Sequence, residues 1–235
     1  MIEWKFEKII DNIYVIAVWD NTWNSFNNCY MILQDEGIIL VDCGKEEHVD
    51  FIIKALYKIG KSEEDIILII ATHGHLDHVG GCRLFKNAKK IIHKDDLDLL
   101  DSELQKGFIP LLSDSGKIEG LYYITMKHHT EGSIVLYSPK YKVLFLGDFH
   151  CFFGEVVDSK GMVGEWIETR HKAYQFVKNI VTEENSYKKY KLDEYFIGLK
   201  SIYSLDIDYL CTGHGMVLTN DIKGFISSLI ECKLD

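Results

Sequence analysis

Apolar residues in the first half of the chain either alternate with polar ones or recur at helical spacing. The alternation predicts four early strands, two within residues 2–19 and the others at 29–33 and 37–41. Apolar positions then recur at helical spacing over 49–59, which predicts an amphipathic helix ending at Gly60. The run 66–71 is apolar on both faces, which is typical of a central strand covered on both sides.

The chain after this central strand is more polar, and its predicted elements are short. They are a helix at Leu84 and Phe85, a strand at 89–93, and a helix over 97–100 capped by Asp95 and Asp96. His93, at the end of the strand, is interpreted as a structural or surface histidine.

The second half of the chain repeats this plan. Strands are predicted at 122–126, 133–137, 143–146 and 207–211. Helices are predicted at 166–181, 192–205 and 222–230, with the polar residues 182–191 as a surface connection. Each half therefore runs several strands, then a helix, then a strand that ends in a histidine loop.

A dense group of metal-binding side chains follows the central strand. His73, His75, Asp77 and His78 fall within six consecutive positions. Alternation along an extended chain lets His73 and His75 face one cation, while Asp77 and His78, at the start of a helix, can reach a second cation. An isolated histidine is usually a surface or hydrogen-bonded core residue, but four such side chains at this density favour a metal site.

Three further candidate ligands each lie beside a predicted strand. An imidazole of His128 or His129 precedes one strand, Asp148 directly follows another, and His214 stands between two glycines after the last. Asp42 also leaves a buried strand. It is either a turn residue or a carboxylate that orients a ligating imidazole, and both interpretations stay open.

The amino-acid composition limits the kinds of molecule that the protein is expected to bind. The 235 residues form one large domain or two small ones, and the net charge of −10 argues against nucleic acid or an anionic membrane as a partner. The N-terminus lacks a signal-peptide pattern and no apolar stretch is long enough to cross a bilayer, so a cytoplasmic location is predicted. The six cysteines form no CxxC pair and are expected to be buried thiols.

The order of these groups resembles the metallo-β-lactamase superfamily, and in particular the glyoxalase II-like metallohydrolases. The resemblance rests on HxHxDH at 73–78, His-Thr-x-Gly at 129–132, Gly-Asp at 147–148 and Gly-His-Gly at 213–215. It implies one α/β domain over residues 1–235. The implied fold is a four-layer αββα sandwich of two mixed sheets with flanking helices and metals at one edge.

The resemblance also implies a ligand set for two divalent metal ions. One metal is held by His73, His75 and His129, a second by Asp77, His78 and His214, and Asp148 bridges them. His129 is preferred to His128 because Thr-x-Gly follows it directly. Imidazole and carboxylate ligands suit Zn²⁺, the metal we expect, and also Fe or Mn²⁺.

The implied activity is hydrolysis of a small molecule. Two cations sharing a hydroxide can cleave an ester, thioester, lactone or phosphoester without a serine or cysteine nucleophile, and Asp77 is the candidate catalytic residue that orients the hydroxide. An alternative is a mononuclear iron oxidoreductase of the persulfide dioxygenase type. Metal stoichiometry would separate the two. The acidic charge disfavours a nuclease, and the complete ligand set disfavours a non-catalytic binding protein.

Sequence differences from known relatives limit the range of expected activities further. β-Lactamases of this fold have cysteine where this chain has Asp148, and lactone-cleaving relatives have tyrosine at the position of Cys151. Glyoxalase II adds a helical domain after the last histidine, and flavo-diiron relatives have glutamate at the position of His75. We therefore expect none of these four activities.

Two features beside Asp148 stay open. His150 is either a proton donor to the leaving group or an exposed or supporting histidine, and we favour the latter. The loop 152–164 carries Phe152, Phe153 and Met162 among glycines. These apolar residues fit a lid over the substrate and the interface of a homo-oligomer equally well.

Overall fold

Two seven-stranded mixed sheets pack face to face in the computed structural model, which describes residues 2–154 and 161–233. The first sheet contains β1 Trp4–Ile10, β2 Ile13–Asp20, β3 Ser25–Gln34, β4 Gly37–Val41, β5 Ile66–Ile70, β6 Lys89–His93 and β7 Phe108–Leu111. These strands lie in chain order, antiparallel from β1 to β4 and parallel from β4 to β7. The carboxyl ends of β4 to β7 therefore meet at one edge of the sheet.

The second sheet has the order β12-β14-β13-β11-β10-β9-β8. Its strands are β8 Ser115–Ile118, β9 Leu121–Thr125, β10 Ile134–Ser138, β11 Val143–Gly147, β12 Val163–Gly164, β13 Tyr209–Thr212 and β14 Val217–Thr219. Strands β8 to β11 are antiparallel neighbours, whereas β11 and β13 are parallel. Consequently β11 and β13 end side by side.

The period of two along each strand divides the core into layers. On β2, Ile13 and Val15 belong to the cluster between the sheets, while Ile16 belongs to a second cluster with Ile52 and Leu56 of the first helix. Tyr30 of the first sheet and Phe145 of the second meet with ring centroids 5.2 Å apart. The two sheets therefore share one apolar core.

Helices cover the outer faces of the two sheets. The helices are α1 Val49–Lys58, α2 Leu76–Val79, α3 Ser102–Gly107, α4 Ile167–Val181, α5 Glu184–Lys189, α6 Leu192–Ile202 and α7 Ile222–Glu231. α1 packs against the first sheet, and buried residues of α4, α6 and α7 join the cluster that includes the second sheet. The predicted fold class of two mixed sheets with flanking helices is confirmed. No helix in the described parts of the chain is long and apolar enough to span a bilayer.

Three of the local predictions are wrong. The helix expected at Leu84 and Phe85 forms earlier, as α2 and a 3₁₀ turn at Gly80–Arg83. Residues 182–191 contain α5, a polar surface helix that has no apolar stripe and so leaves no periodic signal. Asp95 and Asp96 do not cap a helix: a 3₁₀ segment at Lys94–Leu99 is capped by the His93 side chain. Part of the loop 152–164, residues 155–160, lies outside the described residues.

Candidate metal centre

Four loops converge at one edge between the two sheets. The loop after β5 carries His73, the loop between β9 and β10 carries His129, and Asp148 and His214 follow β11 and β13. The side-chain amide of Asn28 on β3 donates to the carbonyls of Thr212 and Gly215, which fixes the His214 loop against the first sheet. Every sequence-predicted ligand therefore lies in the same region of the molecule.

His73, His75 and His129 form a first cluster. His75 Nδ1 lies 3.1 Å from His73 Nε2 and 2.9 Å from His129 Nε2, and the three rings are nearly perpendicular to one another. Around a tetrahedral Zn²⁺ with Zn–N bonds of about 2.0–2.1 Å, ligand nitrogens lie about 3.3 Å apart. The three nitrogens thus have the spacing of a tripod that can hold one cation.

Asp77, His78 and His214 form a second cluster. His214 Nε2 lies 3.3 Å from Asp77 Oδ2, and His78 Nε2 lies 3.9 Å from the same oxygen. His78 Nε2 is buried and has no hydrogen-bond partner among the described residues. A buried nitrogen without a partner is costly unless a cation or water occupies the space it faces, so this donor set fits a metal.

Asp148 lies between the two clusters. Its Oδ1 is 3.3 Å from His78 Nε2, and its Oδ2 is 3.4 Å from His214 Nε2 and 3.6 Å from His129 Nε2. The carboxylate fits there because residue 213 is glycine: a Cβ at this position would overlap Asp148 Oδ1. One carboxylate can therefore reach cations in both clusters.

Asp42 orients His78 from behind. Its carboxylate accepts three hydrogen bonds. They come from His78 Nδ1–H at 2.9 Å, from the Thr72 backbone N–H at 2.7 Å and from the Thr72 hydroxyl at 2.8 Å. With Nδ1 occupied as a donor, the Nε2 lone pair of His78 points toward Asp77 and Asp148. The structure thus shows the hydrogen bond to an imidazole that the orienting interpretation of Asp42 requires.

Asp96 is a buried carboxylate that the sequence did not assign to the centre. It accepts hydrogen bonds from the backbone N–H groups of Gly74 at 2.8 Å and Gly132 at 2.7 Å, and from the Thr130 hydroxyl at 2.7 Å. These partners flank His73, His75 and His129. A Cβ on Gly132 would lie 2.7 Å from Asp96 Oδ1, so glycine is required for this approach. Asp96 joins the two loops that form the first cluster.

The pKa shifts differ between the two clusters. Burial lowers the pKa of His129 to about 4, and burial together with the neighbouring His78 lowers the pKa of His73 well below its ordinary value. Burial also disfavours charge on His78, but the carboxylates of Asp148 and Asp42 outweigh it and raise its pKa well above the ordinary value. Without metal, these shifts favour the neutral imidazole at His73 and His129 and a proton on His78.

His128 and His150 lie outside both clusters. His128 donates from Nδ1 to the carbonyl of Lys191 at 3.3 Å, and its ring packs 5.0 Å from the ring of Tyr195. His150 is half-buried, with Nδ1 2.8 Å from the Tyr195 hydroxyl, so the exposed interpretation of this residue is wrong. Burial lowers the pKa of His150 to about 4. Within the described residues, neither imidazole reaches the candidate ligands.

A cavity of about 560 Å³, which we call the apolar pocket, opens beside His129 and Asp148. Its other lining residues include Phe149, Phe152, Phe176, Val177, Ile180 and Leu192. The pocket lies between α4, the start of α6 and the segment that follows β11. The candidate metal centre therefore has an adjoining space large enough for part of a small molecule.

The chain belongs to the metallo-beta-lactamase superfamily, because the model of that family matches residues 23–214. It is 30% identical over 230 residues to the metallo-beta-lactamase type 2 of Elizabethkingia meningoseptica, with 86% of each chain covered. It is 28% identical over 154 residues to the N-acyl homoserine lactonase of Bacillus cereus, which covers 54% of this chain and 56% of that protein. The predicted family is confirmed.

Solved structures share the fold at lower identity. A flavoprotein from Thermotoga maritima superposes with a TM-score of 0.74 at 22% identity, over 98% of this chain and 61% of the flavoprotein. The DIM-1 metallo-beta-lactamase superposes with a TM-score of 0.62 at 16% identity, over 98% of this chain and 99% of that chain. Family and fold together support a metal-dependent function at the edge where the two clusters lie.

Proposed function

We propose that this protein is a dinuclear metallohydrolase acting on a small molecule. One cation is held by His73, His75 and His129, the other by the second cluster, and Asp148 bridges them. The observation that carries the proposal is the position of the Asp148 carboxylate, within 3.6 Å of imidazole nitrogens from both clusters. We expect Zn²⁺, with Fe or Mn²⁺ as alternatives that the same ligands accept.

The residues of the centre have different roles in hydrolysis. Bound cations supply Lewis acidity, which activates water and polarises the scissile group. Asp77 holds and orients the attacking water: burial raises its pKa, but the hydrogen bond from His214 and the charge of His78 outweigh this and lower the pKa to about 2. The Asp77 carboxylate is therefore ionised at neutral pH and can accept a hydrogen bond from the attacking water. Asp42 keeps His78 in its orientation.

The bond that is cleaved is an ester, thioester, lactone or phosphoester. Two relatives are named for β-lactam and lactone substrates, which supports hydrolysis as the reaction class. Asp148 stands where β-lactamases have cysteine, and Cys151 stands where lactone-cleaving relatives have tyrosine. We therefore expect a substrate different from the β-lactam and the N-acyl homoserine lactone of those two relatives, and the net charge of −10 disfavours nucleic acid.

A mononuclear iron oxidoreductase of the persulfide dioxygenase type is the second candidate. The observation that favours it is the difference in protonation between the clusters. Burial lowers the pKa of His73 and His129 in the first cluster, whereas the carboxylates beside His78 and His214 raise the pKa of both against the effect of burial. Those two imidazoles retain protons more strongly, which favours occupation of the first cluster alone.

Metal analysis and an Asp148→Ala variant test the proposal. We expect two zinc or manganese ions per chain, hydrolysis of at least one ester, thioester, lactone or phosphodiester in a panel, and loss of activity with lowered metal content in Asp148→Ala. Asp98→Ala, at an exposed position, is the control. One iron per chain with thiol-dependent oxygen uptake would support the second candidate. Full turnover of Asp148→Ala with unchanged metal would disprove the bridging role.

A further inference from the structure

The apolar pocket adjoins the first cluster directly. His129 and Asp148 are part of its lining, so a substrate whose scissile bond lies at the centre extends into the pocket without a gap. The pocket volume of about 560 Å³ is within the range of sites that enclose a small organic ligand. Its position therefore makes it the place where one side of the substrate binds.

Most of the surface of the pocket is apolar, although polar side chains also line it. Phe149, Val177 and Leu192 are buried below 4% exposure and form its inner surface, and Phe152 and Ile180 add to it. Apart from Asp148, Lys172 carries the one permanently charged side chain in the described lining. The apolar part of this surface favours an uncharged apolar group.

Some polar groups of the lining are paired with other protein groups, whereas the buried Nε2 of His150 has no hydrogen-bond partner among the described residues. The Tyr195 hydroxyl and His150 Nδ1 share a hydrogen bond of 2.8 Å, and His128 Nδ1 donates to the Lys191 carbonyl at 3.3 Å. Those atoms do not need a polar substrate group to complete their hydrogen bonds. Selectivity of this part of the pocket therefore combines shape and apolar area with a polar atom, His150 Nε2, that a substrate group could contact.

Two large aromatic side chains remain exposed at the edge of the pocket. Phe153 is 51% exposed and Phe176 is 53% exposed, and both line the cavity. The Phe153 ring also lies 5.0 Å from the ring of His214, so this edge continues onto the second cluster. A ligand that passes from the centre into the pocket would cover apolar area on both phenylalanines.

We propose that the apolar pocket binds the uncharged acyl or aryl group of the substrate, so that the centre cleaves the ester, thioester or lactone bond of a hydrophobic acyl compound. This inference rests on the function proposed above. In the reaction, the oxygen of water bonds to the acyl carbon, the acyl C–O or C–S bond breaks, and the leaving group takes a proton. The product is a hydrophobic carboxylic acid.

A series of p-nitrophenyl esters from acetate to octanoate tests the inference on the zinc-loaded protein. Since burying a methylene contributes about 0.8 kcal/mol, kcat/KM should rise about fourfold with each added methylene until the pocket is filled. Ala173→Phe, which adds a ring to the lining, should lower kcat/KM for octanoate at least tenfold and leave acetate within about twofold. Gln175→Phe, at an exposed position of the same helix, is the matched control.

A binding measurement separates this inference from the proposed function. Calorimetry should detect binding of 1-octanol, which has no hydrolysable bond, to the wild-type protein and to Gln175→Phe but not to Ala173→Phe. Phe176→Ser, at an exposed position, should weaken that binding without affecting folding. Octanol binding without hydrolysis of any ester would support the pocket and overturn the hydrolase. Hydrolysis with the same kcat/KM for every chain length would overturn the pocket.

Discussion

At the scale of single residues, buried carboxylates hold the imidazoles of the centre in place. Asp42 fixes His78, and Asp96 fixes the loops around His73, His75 and His129. Both carboxylates accept three hydrogen bonds each and are almost completely buried. A ligand supported in this way loses little freedom when it binds a cation, which raises metal affinity.

Replacement of Asp96 by asparagine tests its supporting role. The amide would place N–H groups against the N–H donors of Gly74 or Gly132, leaving at least one buried donor without an acceptor. We expect the free energy of unfolding to fall by about 1–3 kcal/mol and metal affinity to fall about 10–100-fold. Denaturant unfolding and competition with a zinc chelator measure the two effects. Asp98→Asn, at an exposed position, should change neither, and an equal effect there would disprove the role.

The choice between His128 and His129 can be tested by paired alanine variants. His129 Nε2 lies 2.9 Å from His75 Nδ1, whereas His128 donates to a backbone carbonyl. We expect His129→Ala to lose bound metal and His128→Ala to retain it, as measured by metal analysis of the purified variants. Loss of metal from His128→Ala alone would mean that the neighbouring imidazole is the ligand.

At the residue scale, proximity in sequence determined what could be predicted. His73, His75, Asp77 and His78 are adjacent in the chain, so their density alone indicated a metal site. The partners of Asp96 are 22 to 36 positions away, and its sequence context suggested only a helix cap. An interaction between distant loops leaves no periodic or local signal, so Asp96 could be recognised only in the folded chain.

At the scale of elements, predictions succeeded where periodicity is strong. β2, β4, β5 and α1 have clear apolar patterns because each buries a whole face. The four-residue strands β7 and β8 were missed. β7 contains Pro110, which is tolerated because β7 is an edge strand, and β8 contains Gly116 and few buried residues. These strands form because neighbouring strands supply hydrogen bonds, which the sequence does not show.

Arg170 provides a prediction at the same scale because it joins two helices. Arg170 lies on α4, and its guanidinium donates to three backbone carbonyls just before α7. These are the carbonyls of Thr219, of Asn220 at 2.7 Å and of Asp221 at 3.3 Å. It also lies 5.7 Å from the Phe225 ring. Lysine cannot reproduce this fork of donors, so we expect Arg170→Lys to lower the free energy of unfolding by about 1–3 kcal/mol.

Arg83 offers the matched control for Arg170 in denaturant unfolding. Its guanidinium pairs with the exposed carboxylates of Asp101 and Glu103. Exposed ion pairs contribute about 0–1 kcal/mol, so Arg83→Lys should have a small effect. Equal effects of the two variants would show that Arg170 acts only as a surface charge.

At the scale of the whole molecule, the centre connects the two sheets. His73, His75, Asp77 and His78 follow a strand of the first sheet, while His129, Asp148 and His214 come from loops of the second. A cation bound by ligands from both sheets would be released on unfolding, so its binding free energy adds to the stability of the folded chain. The arrangement of the sheets is therefore coupled to occupation of the centre.

The pKa shifts of the two clusters predict that the affinities for the first and the second metal equivalent depend differently on pH. Imidazoles bind metal only when neutral. Burial keeps the pKa of His129 near 4 and that of His73 well below its ordinary value, so these two ligands should bind the first equivalent without releasing protons between pH 6 and 8. The carboxylates beside His78 and His214 outweigh burial and raise the pKa values of both imidazoles. A second metal equivalent must therefore displace protons. Its affinity should fall about tenfold per pH unit, for each displaced proton, as the pH decreases. Zinc titration calorimetry at pH 6, 7 and 8, in buffers of different ionisation enthalpy, measures the released protons. Equal proton release by both equivalents would contradict the lowered pKa values of His73 and His129 and the raised pKa values of His78 and His214.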